Sequence, residues 1–192
     1  EAQDFSPLVY IPAEFQFLAS VDMDRTMSIP GLSDRLRYEA KRKPSLQIIP
    51  IDKIKHLFLS AGSGEETENK GGIYVAVLKE NTKLETVVNK YKSKFEDDKD
   101  VIITTQEFRD KTIYSIRDKK QKLAICQVKP NIFISGPLDK VVLSLKSADN
   151  NISTNESLKE LMKINPDDSI KIFLLSSDNI GSILQQLKFF DQ

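Results

Sequence analysis

The stretch from Ile73 to Phe95 constrains the fold more than any other part of the chain. It opens with a continuous apolar run, Ile73–Leu78, which is long enough for one buried strand and too short for a helix. Asn81 and Thr82 then supply a turn and a helix cap. The residues that follow at helical spacing are Leu84, Val87, Val88, Tyr91 and Phe95. The pattern predicts a strand, a turn and a helix that lies on the sheet, because neither element can bury its apolar face alone.

Three predicted helices share one apolar stripe, with apolar residues at positions i, i+3, i+4 and i+7. The stripes are Leu84-Val87-Val88-Tyr91, Leu138-Val141-Val142-Leu145 and Ile180-Ile183-Leu184-Leu187. The first two helices each follow a predicted hairpin, over residues 54–78 and 123–135. The element order, β-α-β-β-α and then β-β-β-β-α-α-β-α, predicts an α+β fold with helices packed on one face of an antiparallel sheet. It also suggests two pseudo-repeated β-α-β-β-α halves, although similar stripes occur in any α+β protein.

The chain is expected to form an extended N-terminal arm over residues 1–13 and one α+β domain over residues 14–192. Pro7, Pro12 and the lack of periodicity indicate the arm. The charged run at residues 96–100 is the best candidate for a subdomain boundary. Further along, Ser153 and Glu156 match a capping box, which predicts the start of a helix.

Charge and cysteine content exclude several classes of function. The 28 basic and 28 acidic residues cancel, and phosphate binding needs a positive excess, so nucleic acid is not expected to be the main partner. The single cysteine, Cys126, excludes an intrachain disulfide and a cysteine-based metal cluster. No run of about 18 apolar residues exists, so no membrane span is predicted.

The first residues bear on localisation. The sequence begins Glu1-Ala2-Gln3-Asp4-Phe5 without an initiator methionine, as a mature end left by a signal peptidase would. We therefore expect export to the periplasm or an equivalent compartment, with the signal peptide removed. A chain trimmed at a domain boundary would begin in the same way.

His56, the only histidine, is predicted to be structural. It alternates with Ile54 and Phe58 along a strand, which places the three on one face that points to the core, although Leu57 and Leu59 contest the assignment. A lone histidine cannot build a histidine-based zinc site.

Cys126 lies in mid-strand and is predicted to be a buried, inert thiol. Motifs of serine hydrolases, zinc proteases and dinucleotide-binding proteins do not occur in the sequence. We therefore expect no enzyme activity, no metal and no cofactor.

The end of the first predicted helix is the surface feature that most favours a binding role. It carries basic residues around one aromatic residue: Arg35, Arg37, Tyr38, Lys41 and Arg42. This surface would suit an acidic partner protein, while the alternative is an ordinary solvated helix end that the helix dipole stabilises. Phe189 and Phe190 form a second candidate for partner binding, because exposed aromatic residues often seal an interface.

Several short motifs resemble those of a known family. The opening pattern of Pro12, Phe17, Val21 and Asp22 is followed by Ile51-Asp52-x-Ile54-x-x-Leu57, by Phe108-Arg109-Asp110-Lys111-Thr112-Ile113-Tyr114 and by Ile134-Ser135-Gly136-Pro137. Together these motifs resemble a group of poorly characterised exported bacterial α+β domains, of the kind common in planctomycete-type genomes. The high Lys and Asn content departs from that pattern. The resemblance implies an extracytoplasmic location and no known catalytic residues.

The expected function is therefore non-enzymatic. We predict an exported protein that binds another protein, as an assembly or accessory factor of a larger complex. The alternative is a carrier that holds a small apolar molecule between sheet and helices. An enzyme that uses only Asp and Lys side chains is a third hypothesis, to be tested at His56 and Asp22.

Overall fold

A single antiparallel sheet forms the centre of the structure. The computed structural model describes residues 6–15, 17–42, 48–61, 72–94, 101–117, 122–147, 151–164 and 167–174. The eight strands are β1 (Phe17–Asp22), β2 (Ile54–Ala61), β3 (Ile73–Leu78), β4 (Ile102–Phe108), β5 (Lys111–Arg117), β6 (Lys122–Lys129), β7 (Ile132–Gly136) and β8 (Ile170–Leu174). Their order is β4-β5-β6-β7-β3-β2-β1-β8, and every neighbouring pair is antiparallel. The predicted α+β fold with an antiparallel sheet is thus confirmed.

Five α-helices accompany the sheet in the part of the chain that the structure describes. They are α1 (Met23–Met27), α2 (Leu32–Arg42), α3 (Leu84–Lys94), α4 (Leu138–Lys146) and α5 (Glu156–Lys163). Short 3-10 helices occur at Ser6–Tyr10, Ile51–Lys53 and Ile152–Thr154. The strand and helix predicted from Ile73 onward are present as β3 and α3. The last predicted helix, with its stripe from Ile180 to Leu187, lies outside the described residues.

Helices cover both faces of the sheet, which corrects the expectation of one covered face. Side chains alternate between the two faces along a strand, so Val75 and Leu78 of β3 enter different cores. Val75 packs in a core with Val141 of α4 and Leu158 of α5, on what we call the α4 face. Leu78 packs in a core with Leu84 of α3, on the α3 face. The reason is visible in the apolar run of β3, because a strand without a polar side must be covered on both sides.

The two units made of a hairpin and a helix, β2-β3-α3 and β6-β7-α4, are not related as repeats. They meet at the antiparallel β3–β7 pair. Two neighbouring antiparallel strands are exchanged by a two-fold rotation about an axis perpendicular to the sheet. This rotation leaves each face of the sheet on its own side, so two duplicated units would carry their helices on the same face. The helices α3 and α4 lie on opposite faces, so the predicted pseudo-repeat is wrong for these units. The β3–β7 pair joins strands from either side of residues 96–100; that range is outside the described residues, and a boundary there stays a prediction.

The described part of the predicted extended arm, residues 6–13, is not extended and contributes side chains to the core, so that prediction is wrong there. Ser6–Tyr10 forms a 3-10 helix, and Leu8 and Ile11 are fully buried on the α4 face. The segment is also fixed through its backbone, because the amide of Ile152 donates to the carbonyl of Ile11 at 3.0 Å. Residues 1–5 lie outside the described part of the chain.

A β-bulge at the start of β2 determines where His56 points. Ile54 lies opposite Leu78 of β3 and His56 lies opposite Val77, so the strand contains one extra residue between them. Ile54 therefore packs on the α3 face, whereas His56 lies beside Phe58 on the α4 face, with 4.8 Å between their ring centroids. The prediction that His56 and Phe58 share a face is confirmed, and the prediction that Ile54 shares it is wrong.

The N-terminus of α5 is capped by Asn155 and not by the predicted capping box. The side-chain oxygen of Asn155 accepts a hydrogen bond from the amide of Leu158 at 2.9 Å. Ser153 lies one turn earlier in a 3-10 helix, where its amide donates to the side chain of Asn151 at 3.0 Å. Glu156 is in the first turn of α5 and pairs with a lysine on the same helix.

Candidate functional site

A cleft of about 340 Å³ opens on the α4 face where four parts of the chain meet. The β4–β5 turn and the end of β6 supply its floor, and the Ser6–Tyr10 helix and α4 supply its walls. Its apolar lining consists of Val9, Phe108, Val128 and Leu145. We call this site the α4 cleft. Its volume is at the low end of the range for small-molecule sites, which are also lined chiefly by apolar side chains.

A lysine and an aspartate introduce charge into the α4 cleft. Lys111 lies opposite Phe108 in the β4–β5 pair, so both side chains are on the floor of the cleft. The Nζ atom of Lys111 is 3.0 Å from Oδ2 of Asp110. Their hydrogen bond raises the pKa of the lysine and lowers the pKa of the aspartate, so both are charged at neutral pH.

Arg109 holds the turn at the mouth of the cleft in an unusual conformation. Its φ angle of 55° is the only positive value among the described non-glycine residues. Its Nη1 atom donates to the carbonyl of Leu145 at 3.3 Å, and its guanidinium lies 5.7 Å from the ring centroid of Phe108. Left-handed backbone in a residue with a Cβ is strained, and strain of this kind concentrates at functional sites.

The hydroxyl groups at the cleft and the thiol buried near it are poor nucleophiles. Burial raises the pKa of Tyr10, against the smaller opposing effect of the positive charge on Lys111. The hydroxyl of Ser144 donates to the backbone carbonyl of Tyr10. Cys126 is fully buried, and burial raises its pKa to about 11, so the thiol stays protonated at neutral pH. The prediction of a buried Cys126 is confirmed.

A second group of polar side chains, which we call the His56 cluster, lies on the same face where β1 is flanked by β2 and β8. It contains Ser20, Asp22, His56 and Lys171. The Oγ atom of Ser20 is 2.8 Å from Nε2 of His56, and Nζ of Lys171 donates to the carbonyl of Met162 on α5. Burial lowers the pKa of His56; the negative charge of Asp22 opposes this effect, and the positive charges of Lys171 and a neighbouring lysine add to it.

The His56 cluster contains a serine and a histidine at the spacing of a nucleophile and its base, but the serine is enclosed. Ser20 is 3% exposed in the middle of β1. The backbone of β1 is paired on both sides, so it has no amide available for an oxyanion hole. The arrangement is that of a half-buried polar network around a buried serine. Within the described ranges, no group of three His, Cys, Asp or Glu residues could hold a metal ion.

The residues predicted to bind a partner lie away from the α4 cleft. The helix that carries them, α2, packs through Leu36 on the opposite, α3 face. Arg35 and Tyr38 are exposed, the latter at 58%. Arg37 is exposed but pairs with Asp52, with 3.1 Å between Nη2 and Oδ1. Binding of a partner at this surface stays a prediction.

Four further predicted residues cannot be placed. The backbones of Lys41 and Arg42 belong to α2, but their side chains are outside the described part. Phe189 and Phe190 lie outside the described residues altogether. They therefore stay predictions.

Sequence reasoning missed the α4 cleft because its residues have no local pattern in common. Tyr10 belonged to a predicted arm, and Lys111 appeared within a motif that resembles a known family. The one available signal was the turn itself, since Arg109 stands where a tight hairpin with positive φ normally uses glycine.

Comparison with known proteins identifies the fold and no family. No family model matches the sequence, and no curated protein matches it. Among solved structures, the chain is similar to crystal form I of a protein named TP0453, with a TM-score of 0.55 and 8% sequence identity. The match covers 97% of this chain and 68% of that one. At this identity the likeness bears on the fold alone, and the resemblance to exported bacterial domains stays a prediction.

The described helices are too short or too polar to cross a membrane. None of them has both the length and the apolar content that a crossing of the bilayer requires.

Proposed function

We propose that this protein is a non-enzymatic binding protein that holds a small, mainly apolar molecule in the α4 cleft. The observation that carries the proposal is the cleft itself, about 340 Å³ between sheet and helix, with Val9, Phe108, Val128 and Leu145 in its lining. The groups around it favour binding over bond formation, because Ser144 already donates its hydroxyl and Cys126 is a buried, protonated thiol. Export to the periplasm or an equivalent compartment is part of the same proposal.

Titration calorimetry with octan-1-ol, an apolar probe that fits such a cleft, tests this function. We expect saturable binding to the natural chain and at least a tenfold loss in Val128→Phe, whose larger side chain would fill the floor. Val87→Phe is the matched control, because Val87 is also half-buried but lies on the α3 face. Equal binding by all three proteins, or no binding by the natural chain, would reject the proposal.

A second candidate function is the docking of an acidic partner protein on α2. It is favoured by the exposure of Tyr38, at 58%, beside Arg35, because tyrosine and arginine are the residues most often found at the centre of protein interfaces. We expect a partner from the native source to be retained by the natural chain and lost from a Tyr38→Ser and Arg35→Ser double variant. The control variant Lys90→Ser, exposed on α3, should retain it. Retention by all three would exclude α2 as the docking surface.

A further inference from the structure

The polar groups of the α4 cleft indicate what else its ligand carries. Lys111 lies on the floor, and its charge acts both on the phenol of Tyr10 and on the thiol of Cys126. Its side chain lines the cleft on the same face as that of Phe108, its cross-strand partner. A cation beside the apolar side chains of Phe108 and Val128 is unusual for a site that holds only hydrocarbon.

The partner that neutralises Lys111 is easily exchanged. Asp110 is its sequence neighbour in the turn, and the aspartate side chain is 79% exposed, against 34% for the lysine. An exposed ion pair between turn residues contributes little to stability. The aspartate can return to water at small cost, and the lysine would then accept another anion.

Other charges at the mouth add to the positive potential. The guanidinium of Arg109 and Nζ of Lys146 each lie 5.7 Å from the ring centroid of Phe108. Asp110 is the only acidic residue among those that line the cleft. Glu107 is close in sequence, but alternation along β4 directs it to the other face, where it accepts a hydrogen bond from Thr112 at 2.8 Å.

From this geometry we propose that the ligand is an anionic amphiphile, whose carboxylate or phosphate replaces Asp110 at Lys111 while its apolar body packs against Phe108, Val128 and Leu145. The proposal rests on the proposed function of the α4 cleft and specifies the chemical class of its ligand. The phenol of Tyr10 supplies a neutral hydrogen-bond donor beside the anion.

Three probes with the same eight-carbon chain test the charge separately from the apolar body: octanoate, octan-1-ol and octylammonium. By titration calorimetry at neutral pH, we expect octanoate to bind about tenfold more tightly than octan-1-ol, and octylammonium to bind more weakly than both. Added salt should reduce the preference for octanoate. Comparing octanoate with octyl phosphate then distinguishes the two possible anionic groups, carboxylate and phosphate.

Two variants locate the effect. Lys111→Met should weaken octanoate about tenfold and leave octan-1-ol within twofold, because the apolar stem is retained. Asp110→Asn should increase the affinity for octanoate, since the competing carboxylate is gone. If Lys111→Met does not fold, this variant alone tests whether the anion of the ligand replaces Asp110 at Lys111. Lys159→Met, which breaks an exposed ion pair with Glu156 on α5, is the matched control and should change neither affinity.

The outcomes separate this inference from the function on which it rests. Equal affinity for octanoate and octan-1-ol would overturn the anionic ligand and leave the apolar site intact. An octanoate preference that survives Lys111→Met and is unchanged by Asp110→Asn would also overturn it. Failure of both probes to bind the natural chain would reject the cleft as a ligand site altogether.

Discussion

His56 illustrates how burial on the α4 face makes one residue sensitive to pH. Its folded-state pKa lies below the ordinary value, mainly because burial disfavours the charged imidazolium. The unfolded chain therefore binds a proton more readily than the folded one, and stability is lost as the pH falls below about 6.5. We expect the free energy of unfolding, measured with urea, to be lower at pH 5.5 than at pH 7.5, with at most about 1.4 kcal/mol per pH unit from this residue.

The variant His56→Gln separates this contribution from the carboxylates. Glutamine keeps a polar partner for Ser20 at a position where the native contact is 2.8 Å, but it cannot titrate. The loss of stability between pH 7.5 and 5.5 should therefore be smaller in the variant. The same pH dependence in both proteins would show that His56 is not the group responsible.

Arg109 offers a test of backbone strain at the cleft. Its φ angle of 55° is costly for a residue with a Cβ and free for glycine. Arg109→Gly and Arg109→Ala both remove the hydrogen bond to Leu145, so their difference reports the backbone alone. We expect the glycine variant to be more stable than the alanine variant by about 1 kcal/mol in urea unfolding. Equal stability would mean that the turn relaxes without strain.

Sequence patterns predicted single residues well where the cause was local. Cys126 lies in an apolar strand, and its burial followed from its neighbours. The positions of Ser20 and Lys171 could not be predicted, because they meet His56 only through the pairing of β1 with β2 and β8. The α4 cleft was missed for the same reason, since Tyr10 and Lys111 are brought together by the tertiary fold.

Among the elements, α5 depends on a single cap that can be tested. Asn155 satisfies the amide of Leu158, one of the donors that a helix N-terminus leaves without an intrahelical partner. Asn155→Ala should lower the free energy of unfolding by about 1 kcal/mol. Asn155→Asp should retain most of the stability, because aspartate accepts the same hydrogen bond and suits the helix dipole. If Asn155→Ala is as stable as the natural chain, the side chain of Asn155 does not stabilise the N-terminus of α5.

Element boundaries were predictable wherever an apolar run was bounded by polar residues. β3 has the predicted limits, Ile73–Leu78, because it is an apolar run too short for a helix. The face that each helix covers was not predictable, since an apolar stripe carries no information about which side of the sheet receives it. The bulge between Ile54 and His56 inserts a single residue, and the side chain of Ile54 therefore lies on the face opposite to the predicted one.

At the scale of the molecule, the N-terminal segment should behave as core. Leu8 is fully buried against the α4 face, so Leu8→Ala should lower the free energy of unfolding by about 2–4 kcal/mol. Leu161→Ala is the matched control, because Leu161 is 51% exposed on α5 and its truncation should cost about 0.5 kcal/mol or less. If both variants lose a similarly small amount of the free energy of unfolding, the N-terminal segment does not belong to the core.

The position of β1 has a consequence for the order of folding. One flank of β1 is occupied by β2, but the other waits for β8, which is the last described strand along the chain. Until β8 pairs, β1 exposes a row of unpaired peptide groups, which can pair with a strand of another chain. Any delay in the arrival of β8 would prolong that interval and favour aggregation.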